Sequence, residues 1–408
     1  MARSTDIIIV GGGMVGASLA AAVAPLGFSV IVVEAWPPAS SSQPSYDDRA
    51  TAVANGSQRI FEAMGCWEAL RAEATPIRRI HVSDRGRFGF TRINAADHDL
   101  DALGYVIENR VIGPVLWQQI AACDNVDMLC PARVSGIEIH DEYTEVELSG
   151  EDGSSQTLRA ALVVAADGAQ SPLRRMAGID SETLDYGQSA VIANVSTSQP
   201  HENQAFERFT DHGPLAMLPM SGQRCSLVWT MAPEAAEQLL ASSDDAFLAG
   251  LQQAFGFRLG RIQRVGKRHA YPLRLVRALA QSAPRLILVG NAAHSLHPVA
   301  GQGFNLGLRD VAVLAELLAG TRGNDIDPGG DDLRDAYAQW RVQDHARVIR
   351  LTDSLVRLFT NPLLPVKAVR ALGLLGLDLL PAAKAGFVRQ TTGRAGRLPR
   401  LARGLPLS

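Results

Sequence analysis

The stretch DIIIVGGGMVGASLAAAVAPLGFSVIVVEA, Asp6 to Ala35, decides the fold. Ile7–Val10 is a short apolar strand that runs straight into three glycines. Ala17–Leu26 reads as a helix of small residues, suited to close packing on a sheet. Val30–Val33 is apolar throughout, as a strand buried on both faces should be. Between strand and helix, Gly11, Gly13 and Gly16 form the pattern G-x-G-x-x-G. Such a turn needs positive φ, lets backbone approach a pyrophosphate, and allows the helix to pack tightly on the strand. An anion would then sit at the helix N-terminus, where free N–H groups and the helix dipole favour negative charge. Glu34, at the tip of the next strand, is placed to accept hydrogen bonds from a ribose diol. A glycine turn without a ligand is the plain alternative. The strand before, the helix after and the acid beyond together favour a dinucleotide.

The bulk composition is that of a globular enzyme. The 408 residues suggest two domains, or one large α/β unit with an insertion. Hydrophobic residues make up 47%, charged residues 20%, and the formal net charge is −3, which gives no nucleic-acid footprint. No apolar run reaches the roughly 18 residues of a membrane span. The four-residue run Ile7–Val10 is too short for a signal peptide, so a cytoplasmic protein is expected. Cys66, Cys123, Cys130 and Cys225 show no metal spacing and read as reduced structural thiols; no metal site is expected.

Further along, Asn55–Leu70 and Val111–Ala122 read as helices. Val126–Leu129, Val134–His140, Thr144–Leu148 and the run ALVVAADG read as strands. From Tyr186 to Pro272 the pattern changes to short strands broken by one helical piece, Asp244–Ala254, which suggests an inserted sheet domain. The α/β pattern resumes at RLILVG. The chain is helical from Leu333 to Thr360 and again, after NPLLP, to Leu380.

Three more motifs carry chemistry. In DDRATAVANGS, Arg49 heads a helix-like segment and can neutralise phosphate; a surface arginine is the plain alternative. In VVAADGAQSPLRRMAG, Asp167 and Gly168 end a buried strand and Arg174 follows at a helix start. In LILVGNAAHSLHPVAGQGFNLGLRD, Leu286–Asp310, glycines separate a strand from a helix. Gly301, Gly303 and the helix starting near Phe304 offer a row of backbone donors suited to an anionic ring edge.

In this order and spacing, the four motifs resemble the FAD-dependent aromatic hydroxylases, the group A monooxygenases, over Asp6 to about Arg350. IENRVIGPVL with Asn109, and HPVAGQGFNLGLRD, are most similar to the ubiquinone-biosynthesis hydroxylases. That family's third flavin motif usually reads G-D-A-A-H. Here it is Gly290-Asn291-Ala292-Ala293-His294, which resembles the 2-polyprenyl-6-methoxyphenol hydroxylase branch. The resemblance implies a Rossmann-like FAD-binding domain with an inserted mixed β-sheet substrate domain and a C-terminal helical segment, as in p-hydroxybenzoate hydroxylase. The corresponding division is 1–75, 105–185 and 281–350 for FAD, 76–104 and 186–280 for substrate, and 351–408 for the C-terminal helices and basic tail.

The resemblance also implies residue roles. Gly11, Gly13, Met14, Val15, Gly16, Glu34 and Ala35 would hold the adenosine half of FAD. Arg49 would bind the pyrophosphate or ribityl side with Asn109 against it, and Val134 would meet the adenine through its backbone. Asp167 and Gly168 would serve both FAD and a transient NADPH or NADH. Gly290 and Asn291 would meet the ribityl chain. Pro298, with His297 beside it, would sit over the reactive flavin face. Gly301, Gln302, Gly303, Phe304 and Asn305 would line the ring's N1–O2 edge. The implied reaction is hydroxylation of a polyprenylated phenol by O₂ through a C4a-hydroperoxide of the reduced flavin. The implied partners are that phenol, a peripheral contact with the inner face of a membrane, and a place in a ubiquinone-biosynthesis assembly.

His294 and His297 flank the flavin motif; a structural hydrogen-bonding histidine is the favoured alternative to catalysis. Trp229 and Met217 are candidates to line a substrate cavity, with ordinary core packing as the alternative. The tail from Lys384 to Arg403 holds six basic residues and no acidic one. An apolar anchor with a cationic patch is one reading; a capping helix with a disordered basic end is the other. Two other functions stay open. A flavin halogenase shares the first glycine turn but carries a W-x-W-x-I-P segment absent here. A non-catalytic flavin-binding subunit is the second.

Overall fold

The computed structural model describes residues 3–37, 49–150, 154–296, 301–324, 326–360 and 364–407. At its centre lies a sheet in the order Ser282–Ala283, Leu286–Leu288, Ser155–Ala165, Arg3–Val10, Val30–Val33, Val126–Leu129, parallel throughout except for Ser282–Ala283, which runs antiparallel to its neighbour. Ile7 pairs with Val30 on one side and Leu162 on the other. Both faces are covered, which is why these strands are apolar without alternation. A hairpin, Arg133–Ile139 and Thr144–Ser149, continues the sheet through the first half of Ser155–Ala165.

The helix after the first strand spans Met14–Val23 and then tightens into a 3-10 turn, Ala24–Leu26, that Gly27 ends at φ 79°. It begins earlier than its small-residue run suggests, because the glycine turn itself supplies the N-cap. Seven of its eight buried residues are Gly, Ala, Ser or Val, so the long helix Gln302–Gly323 packs close against it.

Three sequence expectations are corrected here. Asn55–Leu70 is two helices, Asn55–Ala63 and Trp67–Arg71, broken where Gly65 turns to φ 76°. Arg49 does not head a helix: Ala50–Ala54 is a strand paired antiparallel with Gly104–Glu108, as the β-branched Thr51 and Val53 favour. A further helix, Pro233–Ala241, precedes the expected one at Asp244–Phe255.

The second large sheet runs His294–Ser295, His269–Ala278, Ser181–Thr197, Arg224–Met231, Gly213–Met220, Gln204–Thr210, Arg79–Asp84, Phe90–Asn94. The helices Pro233–Ala241 and Asp244–Phe255 cover one face, around Phe247, Leu251 and Phe255. Its other face looks toward the glycine turns.

The tail is not disordered. Helices Leu364–Leu379 and Pro381–Thr391 lead to a segment whose Leu401 and Ala402 are buried in the main core. The Gly56 N–H donates to the Thr392 carbonyl (2.8 Å), and Arg397 stacks on Trp340 at 3.6 Å. Intervening apolar residues, invisible to a reading by charge, fix this basic stretch.

One buried ionic cluster locks the end of the parallel sheet to the C-terminal helices. Asp310 is fully buried and accepts hydrogen bonds from Gly290 N–H (2.9 Å), His294 Nε2 (2.7 Å), Arg341 Nε (2.7 Å) and His345 Nε2 (2.6 Å). Those cations and donors hold its carboxyl well below the usual carboxylate range, outweighing burial. His345 Nδ1 lies 2.8 Å from Gln281 Nε2. Burial pushes His345 down to about 4 from 6.5.

An unfolded chain takes up the His345 proton near 6.5, and the folded protein refuses it until about 4. The stabilisation from His345 is therefore full above 6.5 and is lost on acidification, by up to about 1.4 kcal/mol per pH unit. Urea unfolding of the unaltered protein and H345Q across pH 7.5 to about 5 should show that loss as the difference between their pH slopes. An unchanged slope would mean that His345 is not held neutral.

Candidate active site

The glycine turns and the inner face of the second sheet enclose one cavity of about 1030 Å³. At one end stands the turn after the first strand. Gly11 has φ 104°, and a Cβ there would lie 2.5 Å from the Ala166 carbonyl oxygen. A Cβ on Gly16 would lie 1.8 Å from the Gly11 carbonyl oxygen, so the turn closes only with glycine. Gly13 caps the helix without a side chain, leaving first-turn N–H groups open. Glu34 is buried; its Oε2 accepts from Gly12 N–H (2.6 Å) and its Oε1 from Trp36 N–H (2.9 Å). The carboxylate thus holds the glycine loop as well as facing the cavity.

A second helix N-terminus meets the same cavity. Gly301, at φ 59°, caps Gln302–Gly323, again with no side-chain cap. Among the described residues, a Cβ on Gly303 would meet no atom within 4 Å, so its backbone is bare of them toward the cavity. Two uncapped helix ends aimed into one space, with a carboxylate beside the first, fit a dinucleotide joined to an electron-accepting ring.

The cavity wall brings together Gly11, Gly13, Met14, Glu34, Ala35, Arg49, Asn109, Val134, Asp167, Gly168, Asn291, Gly301, Gln302, Gly303, Phe304 and Asn305. Val15, Gly16 and Gly290 are not in that wall. Val15 instead wedges between glycines: a Cβ on Gly290 or Gly307 would lie 3.1 or 3.0 Å from its methyls. These three set the spacing of the backbones behind the cavity. His297 and Pro298 lie outside the described residues.

Several wall residues hold protein rather than open space. The Asn305 amide accepts from Ala54 N–H and donates to the Ala52 and Gly301 carbonyls, clamping strand Ala50–Ala54 to the helix. Asn109 accepts from Thr51 Oγ1 at 2.7 Å. Asp167 takes the Leu173 N–H on Oδ2, its Oδ1 has no partner among the described residues, and burial raises its carboxyl. Arg174 is buried behind it and donates to the Ala292 and Ala169 carbonyls. His294 is 1% exposed and bound to Asp310, so the structural alternative holds for it.

Two candidates for the substrate wall are corrected. Met217 and Trp229 are buried on the opposite face, where Trp229 meets Phe247. Their neighbours Ala216, Leu218, Val228 and Thr230 line the cavity. Side chains alternate along a strand, so a one-residue choice selects the face, and large apolar residues suited either face here.

The sequence reading also missed several residues. Trp117 Nε1 donates to the Gly12 carbonyl (2.8 Å), pinning the glycine turn from a distant helix. Arg133 lies over Trp36 at 4.4 Å, making a flat platform next to Glu34. Phe387, Val388, Thr391 and Thr392 bring the tail to the cavity wall. Leu355, Leu374 and Leu377 close its far end.

Comparison with known proteins agrees with this geometry. A family model described as FAD binding domain matches residues 4–352. The chain is 40% identical over 408 residues to ubiquinone hydroxylase UbiL of Rhodospirillum rubrum, covering 99% of this chain and 94% of that one. The chain belongs to the FAD-dependent ubiquinone hydroxylases. It is also 34% identical over 401 residues to 3-demethoxyubiquinol 3-hydroxylase of Escherichia coli, covering 95% and 97% of the two chains. Among solved structures, p-nitrophenol 4-monooxygenase PnpA of Pseudomonas putida DLL-E4 superposes with a TM-score of 0.80 at 20% identity, over 97% of this hydroxylase and 100% of that chain. The fold of this hydroxylase is therefore the p-hydroxybenzoate hydroxylase-like one, and its cofactor is FAD.

Replacing Glu34 with Ala should weaken FAD binding to the apoprotein about ten- to a hundredfold, since a charge-assisted hydrogen bond is worth roughly 1.5–3 kcal/mol. Titration calorimetry reads this directly; unchanged affinity would remove Glu34 from the site.

Proposed function

We propose that this hydroxylase inserts one oxygen atom from O₂ into the ring of a polyprenylated phenol on the route to ubiquinone, with NADPH or NADH as a transient electron donor. The observation that carries the reading is the single cavity with two unlike ends. One end is a glycine cradle with two open helix N-termini. The other is an apolar chamber walled by Ile80, Val82, Phe209, Val228, Leu355 and Leu374. A phenol with a long hydrocarbon tail needs both: its ring beside the cofactor and its tail out of water. Bound FAD supplies the oxygen-activating chemistry. The protein positions the phenol, excludes water and aims backbone donors at the ring edge. The Escherichia coli and Rhodospirillum rubrum relatives, named for ubiquinone-type substrates, support the same class.

The test is NAD(P)H oxidation by the purified protein with and without a short-chain prenylphenol under isotopically labelled O₂. The expected result is faster oxidation with the phenol and one labelled oxygen in the product. Oxidation indifferent to the phenol, with no labelled product, would favour a non-catalytic flavin-binding subunit.

A bilayer-dissolved substrate also asks for a membrane contact. Among the described residues, no single helix is long and apolar enough to cross a membrane. Val369–Leu379 and Pro381–Thr391 instead meet at 97° and form an apolar elbow. Val369, Leu372, Leu379 and Leu380 stand more than half exposed on it, with Phe88 nearby in sequence to the strand it covers. We place the contact on this elbow; the basic tail is largely folded back on the protein. The double variant L372S/L379S should lower liposome binding at least about tenfold, given roughly 1.5–3 kcal/mol per fully buried leucine. Flotation with and without anionic lipid measures it; equal binding would place the contact elsewhere.

A further inference from the structure

Among the described residues, three carboxylates line the cavity, Glu34, Asp167 and Glu207, and Glu207 is the one that stands away from the glycine turns. It lies in the strand Gln204–Thr210, opposite Ala216 on one neighbouring strand and Val82 on the other. All three line the cavity. The flanking residues point the other way: Phe206 meets Phe255 edge-on, and Arg208 Nε donates to the Ala254 carbonyl. Alternation therefore fixes the Glu207 side chain on the cavity face. Among the described residues it has no hydrogen bond and no ion pair.

Its place along the strand is informative. Two residues earlier, Ala205 belongs to the apolar group that contains Ala50, Ala52 and Leu218. Ala52 in turn touches the space beside Gly301, at the open N-terminus of the helix Gln302–Gly323. Two residues later, Phe209 packs with Leu374 and Leu355 at the apolar end. Glu207 thus stands one strand repeat, about 7 Å, beyond the cofactor end and before the apolar chamber. That is where the polar head of a prenylated phenol must lie when its tail fills the chamber.

The charged groups on the surrounding elements are engaged elsewhere. Asp84 is bound to Arg370, Asp353 to Arg357 and Tyr186, Asp378 to Lys384, and Arg224 to Glu108. On the neighbouring strand Gly213–Met220 the cavity-facing residues are Pro214, Ala216 and Leu218, none of them titratable. An unpartnered carboxyl in such a wall is costly unless a ligand satisfies it.

We propose that Glu207 receives the phenolic hydroxyl of the substrate and takes its proton, a role that rests on the reading of this chain as a phenol hydroxylase. The phenol O–H bond breaks, its electron pair stays on the phenol oxygen, and the proton binds a Glu207 carboxylate oxygen. The phenolate pushes electron density into the ring, which favours attack by an electrophilic oxygen. Burial pushes the Glu207 carboxyl up to about 7, closer to a phenol than an ordinary carboxylate is, so the transfer is better matched. The neutral acid left behind is also the form an apolar wall favours.

The test compares the FAD-loaded unaltered protein with E207Q and E207D. With a short-chain prenylphenol, kcat/KM of the unaltered protein should fall on acidification through about pH 7, because the base must be ionised. E207Q should lose that acid limb and drop kcat/KM about a hundredfold, and E207D should keep a limb with partial activity. A second readout needs no turnover. The raised carboxyl favours the protonated folded form, so the stability that Glu207 contributes is lost as pH rises through about 7, opposite in sign to the His345 effect. E207Q should therefore melt higher than the unaltered protein at pH 8 and alike at pH 5. Should E207Q keep the unaltered kcat/KM and acid limb, Glu207 is no base, and the hydroxylase reading stands without it. Should the unaltered protein hydroxylate no phenol at all, both readings fall.

Discussion

A carboxylate with no water around it must be met by donors, and Asp310 meets four. The Gly290 N–H comes from the turn after the last parallel strand, His294 from the end of that turn, and Arg341 and His345 from the helix Asp331–Thr360. Asp310 itself sits in the helix whose open N-terminus faces the cavity. One buried anion therefore ties the strand end, the flavin-side helix and the C-terminal helices into one frame. Removing one partner would strand a buried charge, a much larger penalty than the net worth of the set. Asn291 projects from the turn that this anion holds by its backbone, so the place of the third flavin motif depends on a residue beyond the motif's glycines. His294, which sequence alone offers as a catalytic candidate, is occupied here.

How much of this was legible in the sequence depends on how local each cause is. The turn Gly11–Gly16 and the strand Val30–Val33 were readable because local sterics and continuous burial leave one solution. Glu34 and most residues of the four motifs were readable because backbone-approach chemistry restricts residue type. The break at Gly65 was also local, and a lone glycine inside a helical pattern did not announce it. The face of the second sheet was not readable. Met217 and Ala216 differ by one step, and only the pairing of distant strands decides which looks inward. Arg49 misled because strand Ala50–Ala54 draws its stability from Gly104–Glu108, far along the chain. Glu207 was invisible for a related reason: an acid within FERFT reads as the solvent side of a strand until an internal cavity replaces the solvent.

The two ends of the cavity use opposite physics. At the glycine end the protein withholds side chains, so that helix N–H groups and peptide dipoles carry the recognition. At the far end it supplies bulk, with Phe209, Leu355 and Leu374 removing apolar surface from water. Such a division separates the positioning of a ring from the solubilising of a tail. It also lets a fold shared with p-nitrophenol 4-monooxygenase at 20% identity keep one half of its design while the other half varies.

The placement of the tail has a consequence for how the molecule comes into being. The wall residues Phe387 to Thr392 reach the cavity from the last part of the sequence, and Thr392 is fastened to Gly56 near its start. Ribosomal synthesis delivers the glycine turn and the strands of both sheets well before this segment emerges. Until it docks, the chamber is open on one side, and the dinucleotide cradle is reachable from solvent. The cavity wall is thus completed last, and the order of synthesis leaves an interval in which the dinucleotide cradle is more open than in the finished protein.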